Sequence, residues 1–175
     1  MVANEAEFAK KLTQLANPFV DVDGKVLPLA EVGKKLVDLY NCRSCHTVDG
    51  KVNTGPTWHN LYKSTVKFSQ SDEAGYTLSE SDSDAKWLAY FDQSIINPSA
   101  KIVEGFQNSM TPFGASLSGA DPNDMKDDKN RRRRAIIEYI KSLDENAGGK
   151  PKYYVPAPLP VLESATQPAT TQAGK

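Results

Sequence analysis

The chain has 175 residues, of which 39% are hydrophobic and 25% charged, and a net charge of −1. Such a chain can bury one core once terminal arms are discounted. Its charge balance points to neither nucleic acid nor an anionic membrane surface, and no stretch approaches the roughly eighteen apolar residues that a bilayer span requires.

At the N-terminus, residues 5 to 16 carry Phe8, Leu12 and Leu15 at helical spacing, a peripheral helix in prospect. The opening residues, Met1-Val2-Ala3-Asn4-Glu5-Ala6-Glu7, lack a basic region followed by an apolar one, so no signal peptide is read there. Asp23-Gly24 marks a turn. Pro28 then opens a clearer helix with Leu29, Val32, Gly33, Leu36 and Tyr40 on one stripe, and Gly33 would let another backbone approach closely.

That helix leads into Cys42-Arg43-Ser44-Cys45-His46, a C-x-x-C-H run. This is the pattern of covalent haem c attachment: two thiols form thioethers with the two vinyl groups of one porphyrin, and the adjacent imidazole takes the iron. Three other readings of the pentapeptide fit less well. Zinc would need four ligands, and His59, the other histidine, does not complete a His-x3-5-His spacing. A thioredoxin-like dithiol would sit in a βαβ pattern, which the flanking sequence does not show. A bare disulfide between cysteines two residues apart closes too small a loop to add much stability.

Ten residues after His46 comes Pro56, within Gly55-Pro56. Proline has no N–H, which leaves carbonyls in its neighbourhood free to accept from the imidazole Nδ1–H, and such a bond fixes a ligand ring and raises its basicity. Lys63 to Asp84 is polar and reads as a loop with room for a short hairpin. Trp87, Leu88, Phe91 and Ile95 recur at helical spacing until Asn97-Pro98 stops them. Met110 follows in the turn-like Ser109-Met110-Thr111-Pro112-Phe113 and is the candidate sixth ligand of the iron, with Phe113 beside it. Of the other methionines, Met1 is terminal and Met125 sits in a charged segment.

Ile136, Ile137, Ile140 and Leu143 form the stripe of the last helix, with Gly148-Gly149 as its ending. Packed across the Gly33 helix, it would make a two-helix clasp behind the haem. Arg131 to Arg134 lie at its N-terminus, where positive charge opposes the macrodipole, and read as a solvated face more readily than as a docking patch or a partner for haem propionates. Beyond Ala147 the chain turns to Pro, Ala, Thr, Gln and Gly and cannot build a core. Such a tail is expected to order by lying along another subunit. The organisation is therefore an N-terminal arm over residues 1–27, a haem domain over 28–148 and a Pro/Ala-rich tail over 149–175.

In order and rough spacing, these pieces resemble the mono-haem cytochromes c of the His/Met type, most closely the cytochrome c domain fused to subunit II of haem-copper oxidases. The matching residues are Gly33, the C-x-x-C-H run, Gly55-Pro56-Thr57-Trp58, Leu61-Tyr62, Ser94 to Pro98, Lys101 to Phe106, Met110 and Ile137 to Leu143. They span about residues 30 to 145. The resemblance implies an all-α cytochrome c fold, with N- and C-terminal helices packed across the haem and with long loops and extended arms. It further implies one haem c on Cys42 and Cys45, axial ligation by His46 and Met110, orientation of His46 by Pro56, and Trp58 and Tyr62 as pocket or propionate neighbours. Subunit II would also carry a membrane hairpin and a copper domain, and neither is present in this sequence; the loops at Lys63 to Asp84 and Gly119 to Lys129 likewise lack family counterparts.

With both axial positions filled, the iron changes charge without binding reactants, so the expected role is a one-electron carrier and not an enzyme. The expected partners are redox proteins of a respiratory chain, such as a terminal oxidase or a quinol-oxidising assembly like alternative complex III. The expected location is the periplasm or the outer face of a bacterial cytoplasmic membrane, the chain being a mature or excised form. One alternative is a haem-based ligand-binding enzyme or sensor with a labile Met110. Another is a structural subunit in which the haem only staples the fold.

Overall fold

The computed structural model describes residues 5, 7–9, 12 and 17–144. The frame is a pair of helices. In the first, α1 (Leu29–Leu39), Pro28 precedes the first turn with φ near −56° and buries Leu29, Val32, Gly33, Leu36 and Val37 on one side. The second, α4 (Asp128–Lys141), starts at Asp127, whose carboxylate accepts from the Lys129 and Asn130 amides; its buried side includes Ala135, Ile136, Ile137 and Ile140. The two cross at Gly33, where a Cβ atom would fall 2.0 Å from the Ala135 carbonyl oxygen. The expected clasp is thus present, and glycine is what lets the backbones meet.

Between these helices in the chain come α2 (Asp84–Ile96) and the single turn α3 (Gly114–Leu117). Ser83 caps α2 by accepting from the Lys86 amide, Trp87, Tyr90, Phe91 and Ile95 face the core, and Asn97-Pro98 ends the helix as the sequence predicts.

The all-α expectation is corrected by the structure. Phe68–Ser71 (β1) and Lys101–Val103 (β2) form a two-stranded antiparallel sheet, pairing Phe68 with Val103, Gln70 with Ile102 and Ser71 with Lys101 around an irregularity after Phe68. The chain is therefore mixed α and β. The physical reason lies in the Lys63–Asp84 excursion, which is not a free polar loop. Val66 and Leu78 exchange backbone hydrogen bonds of 2.9 and 3.0 Å and both are buried, Leu78 completely, while the Trp87 indole N–H donates to the Ser79 carbonyl. Once the excursion is anchored this way, β1 lies beside β2. Lys101 then sits buried among Asp72, Glu73 and Gln93, with its ammonium 4.4 Å from the Tyr76 ring.

The arginine run is only partly the solvated face expected. Arg132 and Arg134 pair with Asp128 and Glu138 one turn along. Arg133 is buried, bonded to Asp92 and to the Leu117 and Pro122 carbonyls. Arg131 lies 4.0 Å over the Phe19 ring. Phe19 is itself in the core, and the turn at Asp23-Gly24 returns the chain through a Val20–Val26 bridge. Packing thus begins ahead of residue 28. Residues 5, 7–9 and 12 are helical, with Phe8 and Leu12 exposed. The last helix ends at Lys141, capped by Ser142, short of Leu143 and of the Gly148-Gly149 ending expected from sequence; Gly148-Gly149 and the 149–175 tail, with its expected subunit contact, lie outside the described residues. Among the described residues no helix is long and apolar enough to cross a membrane.

Candidate functional site

A cavity of about 290 Å³ opens between the helix pair, α2 and the segment 106–113. One wall carries Cys42, Cys45, His46, Gly55, Pro56 and Trp58; the other carries Phe91, Ser94, Ile95, Met110 and Phe113, with Ile136 and Ile140 between them. Seven of the eight site residues expected from sequence are gathered here. Tyr62 is not: its ring packs edge-on against Trp87 at 5.7 Å, with the Lys141 ammonium 5.0 Å away and the Asp84 carboxylate near its hydroxyl.

The near wall follows from how α1 ends. Asn41 adopts a left-handed conformation, φ +56°, which asparagine tolerates better than most residues. The chain then tightens into a 3-10 turn, Cys42–Ser44. The Cys42 carbonyl accepts from both the Cys45 and His46 amides, at 3.2 and 3.1 Å, so the two sulfurs and the imidazole belong to one compact turn. Both thiols are free and half-buried. Burial pushes the Cys42 thiol up to about 11, with Asp38 and Cys45 adding to the rise. Exchange-active dithiols have the opposite character, a depressed pKa at an electropositive site. Among the described residues no three Cys, His, Asp or Glu side chains group as ligands for one ion.

The His46 ring is held by a hydrogen bond and a ring stack. Its Nδ1–H donates to the Pro56 carbonyl at 2.8 Å; since a carbonyl only accepts, the ring proton is on Nδ1 and Nε2 keeps its lone pair. Burial lowers the imidazole pKa, partly offset by the Pro56 bond, so the ring is neutral at pH 7. Trp58 stacks on it, with centroids 4.9 Å apart and planes within 12°. The connecting loop is closed by Gly55 N–H to Cys45 carbonyl and Trp58 N–H to Thr47 carbonyl bonds of 3.0 and 2.8 Å.

Gly55, named in the sequence only as part of Gly55-Pro56, turns out to have a role of its own. A Cβ there would lie 2.6 Å from His46 Cε1 and 2.9 Å from Nδ1. Gly55→Ala is expected to push the imidazole off the Pro56 carbonyl and to cost roughly tenfold or more in metal affinity at Nε2. Nitrogen-15 NMR of the histidine ring checks this directly: loss of the protected Nδ1–H signal is the expected result, and an unchanged tautomer would show that other contacts hold the ring.

On the far wall, Met110 is half-buried and is the methionine that lines the cavity among the described residues. Its loop is tied back by Phe113, whose amide donates to the Ile95 carbonyl at 3.0 Å and whose ring meets Tyr40 edge-on at 5.9 Å. The Ser94 hydroxyl, also in this wall, is buried without a well-formed hydrogen bond, with the Tyr90 hydroxyl as its polar neighbour. A buried polar atom in this state calls for a partner, which an ordered water or a bound group would supply.

No protein-family model matches the chain, and no curated protein shows significant similarity to it. The functional reading therefore rests on the residues themselves.

Proposed function

We propose that this chain covalently holds one haem c and acts as a one-electron carrier of the His/Met cytochrome c type. In this reading it is a domain or subunit of a membrane-associated respiratory complex, on the periplasmic side or outer face of a bacterial cytoplasmic membrane. The observation that carries the reading is the meeting of two free thiols, a Pro56-anchored neutral imidazole and the Met110 thioether in one cavity with apolar walls.

The residues fit the group. Cys42 and Cys45 would hold the porphyrin through thioethers, and His46 Nε2 and Met110 Sδ would take the iron. When bound, the haem supplies a ferric/ferrous couple. Pro56 and Trp58 fix the imidazole plane, so His46 needs no reorientation when the charge at the iron changes. Phe91, Ile95, Phe113, Ile136 and Ile140 keep water from the centre, and a dry wall with a thioether ligand favours the reduced state. If His46 and Met110 both took the iron, the chain would leave no coordination site for a substrate. Redox proteins are then the partners, among them a terminal oxidase or a quinol-oxidising complex such as alternative complex III.

The test is a pyridine haemochrome assay on the full chain produced in a periplasm with cytochrome c maturation. One haem per chain that survives denaturation and acid–acetone extraction is expected, with loss of covalent haem in Cys42→Ser/Cys45→Ser. A chain that takes up no covalent haem would overturn the reading.

A further inference from the structure

Every exposed residue lining the cavity is uncharged: Asn41, Ser44 and Thr54 on the thiol side, and Gln107, Asn108, Ser109 and Thr111 on the Met110 side. A quarter of the whole chain is charged, so this is not the surface average. Five of the seven fall in two charge-free stretches, while Asn41 and Ser44 flank Arg43. From Gly105 to Ala120, sixteen consecutive residues contain no Asp, Glu, Lys or Arg, where the chain-wide frequency would place about four; Val52 to Tyr62 is a second such run, of eleven.

The charges that approach the rim are largely neutralised. Lys101, the charged residue in the lining, is buried against Asp72 and Glu73. Arg43 is 3.5 Å from Asp38, and Lys51 is 2.9 Å from Asp49. Glu104 stands just outside the longer run. A net charge of −1 adds little field from the molecule as a whole.

We infer that this rim docks a redox protein through an uncharged face, so that partner encounter is not steered electrostatically. The inference rests on the proposed haem site and concerns the surface through which its electrons pass. A charged docking face would be left to pair with neutral amides and hydroxyls, losing hydration without gaining an opposite charge. A neutral polar face loses little on contact, and it suits association rates near the unsteered range of about 10⁵–10⁶ M⁻¹s⁻¹.

Stopped-flow electron transfer with the full haem-loaded chain tests this, using anionic hexacyanoferrate and cationic hexaammineruthenium as probes. Between about 0.01 and about 0.3 M ionic strength, both rates are expected to change by less than about threefold. In Gln107→Lys/Thr111→Lys the hexacyanoferrate rate should rise about tenfold at low salt and lose that gain at high salt, which locates the electron exit at the rim. A parent rate that falls tenfold or more with salt, or a double variant that behaves as the parent, would overturn the inference. Sedimentation run alongside would overturn it too, if it gave a dimer that the double variant breaks, since the rim would then belong to a second copy. A sample without covalent haem fails the underlying reading instead, so the two failures are distinct.

Discussion

Gly33→Ala is expected to destabilise the chain by about 3 kcal/mol or more, read as a lowered urea midpoint with an unchanged slope. The added methyl would lie 2.0 Å from the Ala135 oxygen, 2.6 Å from its carbonyl carbon and 2.7 Å from Tyr139 Cβ. Two of these three atoms are backbone and the third is fixed to it, so no rotamer change clears them. The helices would have to separate, reopening the contacts of Val32, Leu36, Ile136 and Ile140. Helix propensity acts the other way, since alanine in a helix interior gains about 0.5–1 kcal/mol over glycine. The sign of the result is therefore decisive. A loss on this scale matters in a domain whose whole stability is on the order of 5–15 kcal/mol, and a stabilised alanine variant would mean that α1 and α4 do not cross at Gly33.

These helices were legible because each carries a stripe and one readable boundary, Pro28 at the start of α1 and Asn97-Pro98 at the end of α2, while the Asn41 and Ser83 ends emerged only in the structure. The sheet was not. Phe68-Ser69-Gln70-Ser71 shows no apolar alternation and β2 is three residues long, so the pairing follows from tertiary anchoring and not from strand propensity. Arg133 was hidden inside a run of four arginines, yet it lies three, four and seven positions before Ile136, Ile137 and Ile140, and Asn130, a turn earlier, is buried too. Periodicity carried through the charged residues would have placed it inside.

The site divides in the same way. Local contacts could be read from spacing: the two thiols and His46 share one turn, and Pro56 accepts from the imidazole. What depends on ring placement could not. The glycine at position 55 has its meaning only once the imidazole lies against it. Tyr62 sits between Asn60 and Lys63, which both have positive φ, so the segment is not helical and does not present Trp58 and Tyr62 on one face.

If the chain carries haem c as proposed, Met110→Ala is expected to leave it covalently attached while changing its chemistry. The side chain is half-buried in the cavity wall and lies outside the core cluster, so the helix clasp should survive, as a far-ultraviolet spectrum and the urea midpoint would show. Losing the thioether should abolish the weak far-red methionine-to-ferric-iron band and lower the potential, on the order of a few tenths of a volt given how strongly axial ligands set it. The reduced variant should bind carbon monoxide readily, where the parent should not. The contrast matters more than either value, because the one cavity serves both readings of the chain. In the proposed reading, a Met110 held in place by the Phe113–Ile95 bond and the Phe113–Tyr40 ring contact would block exogenous ligands and leave electron transfer as the work of the centre. A reduced parent that binds carbon monoxide without denaturant would show that this tether is too loose to hold the ligand, and would move the function to ligand sensing or catalysis at the position Met110 vacates.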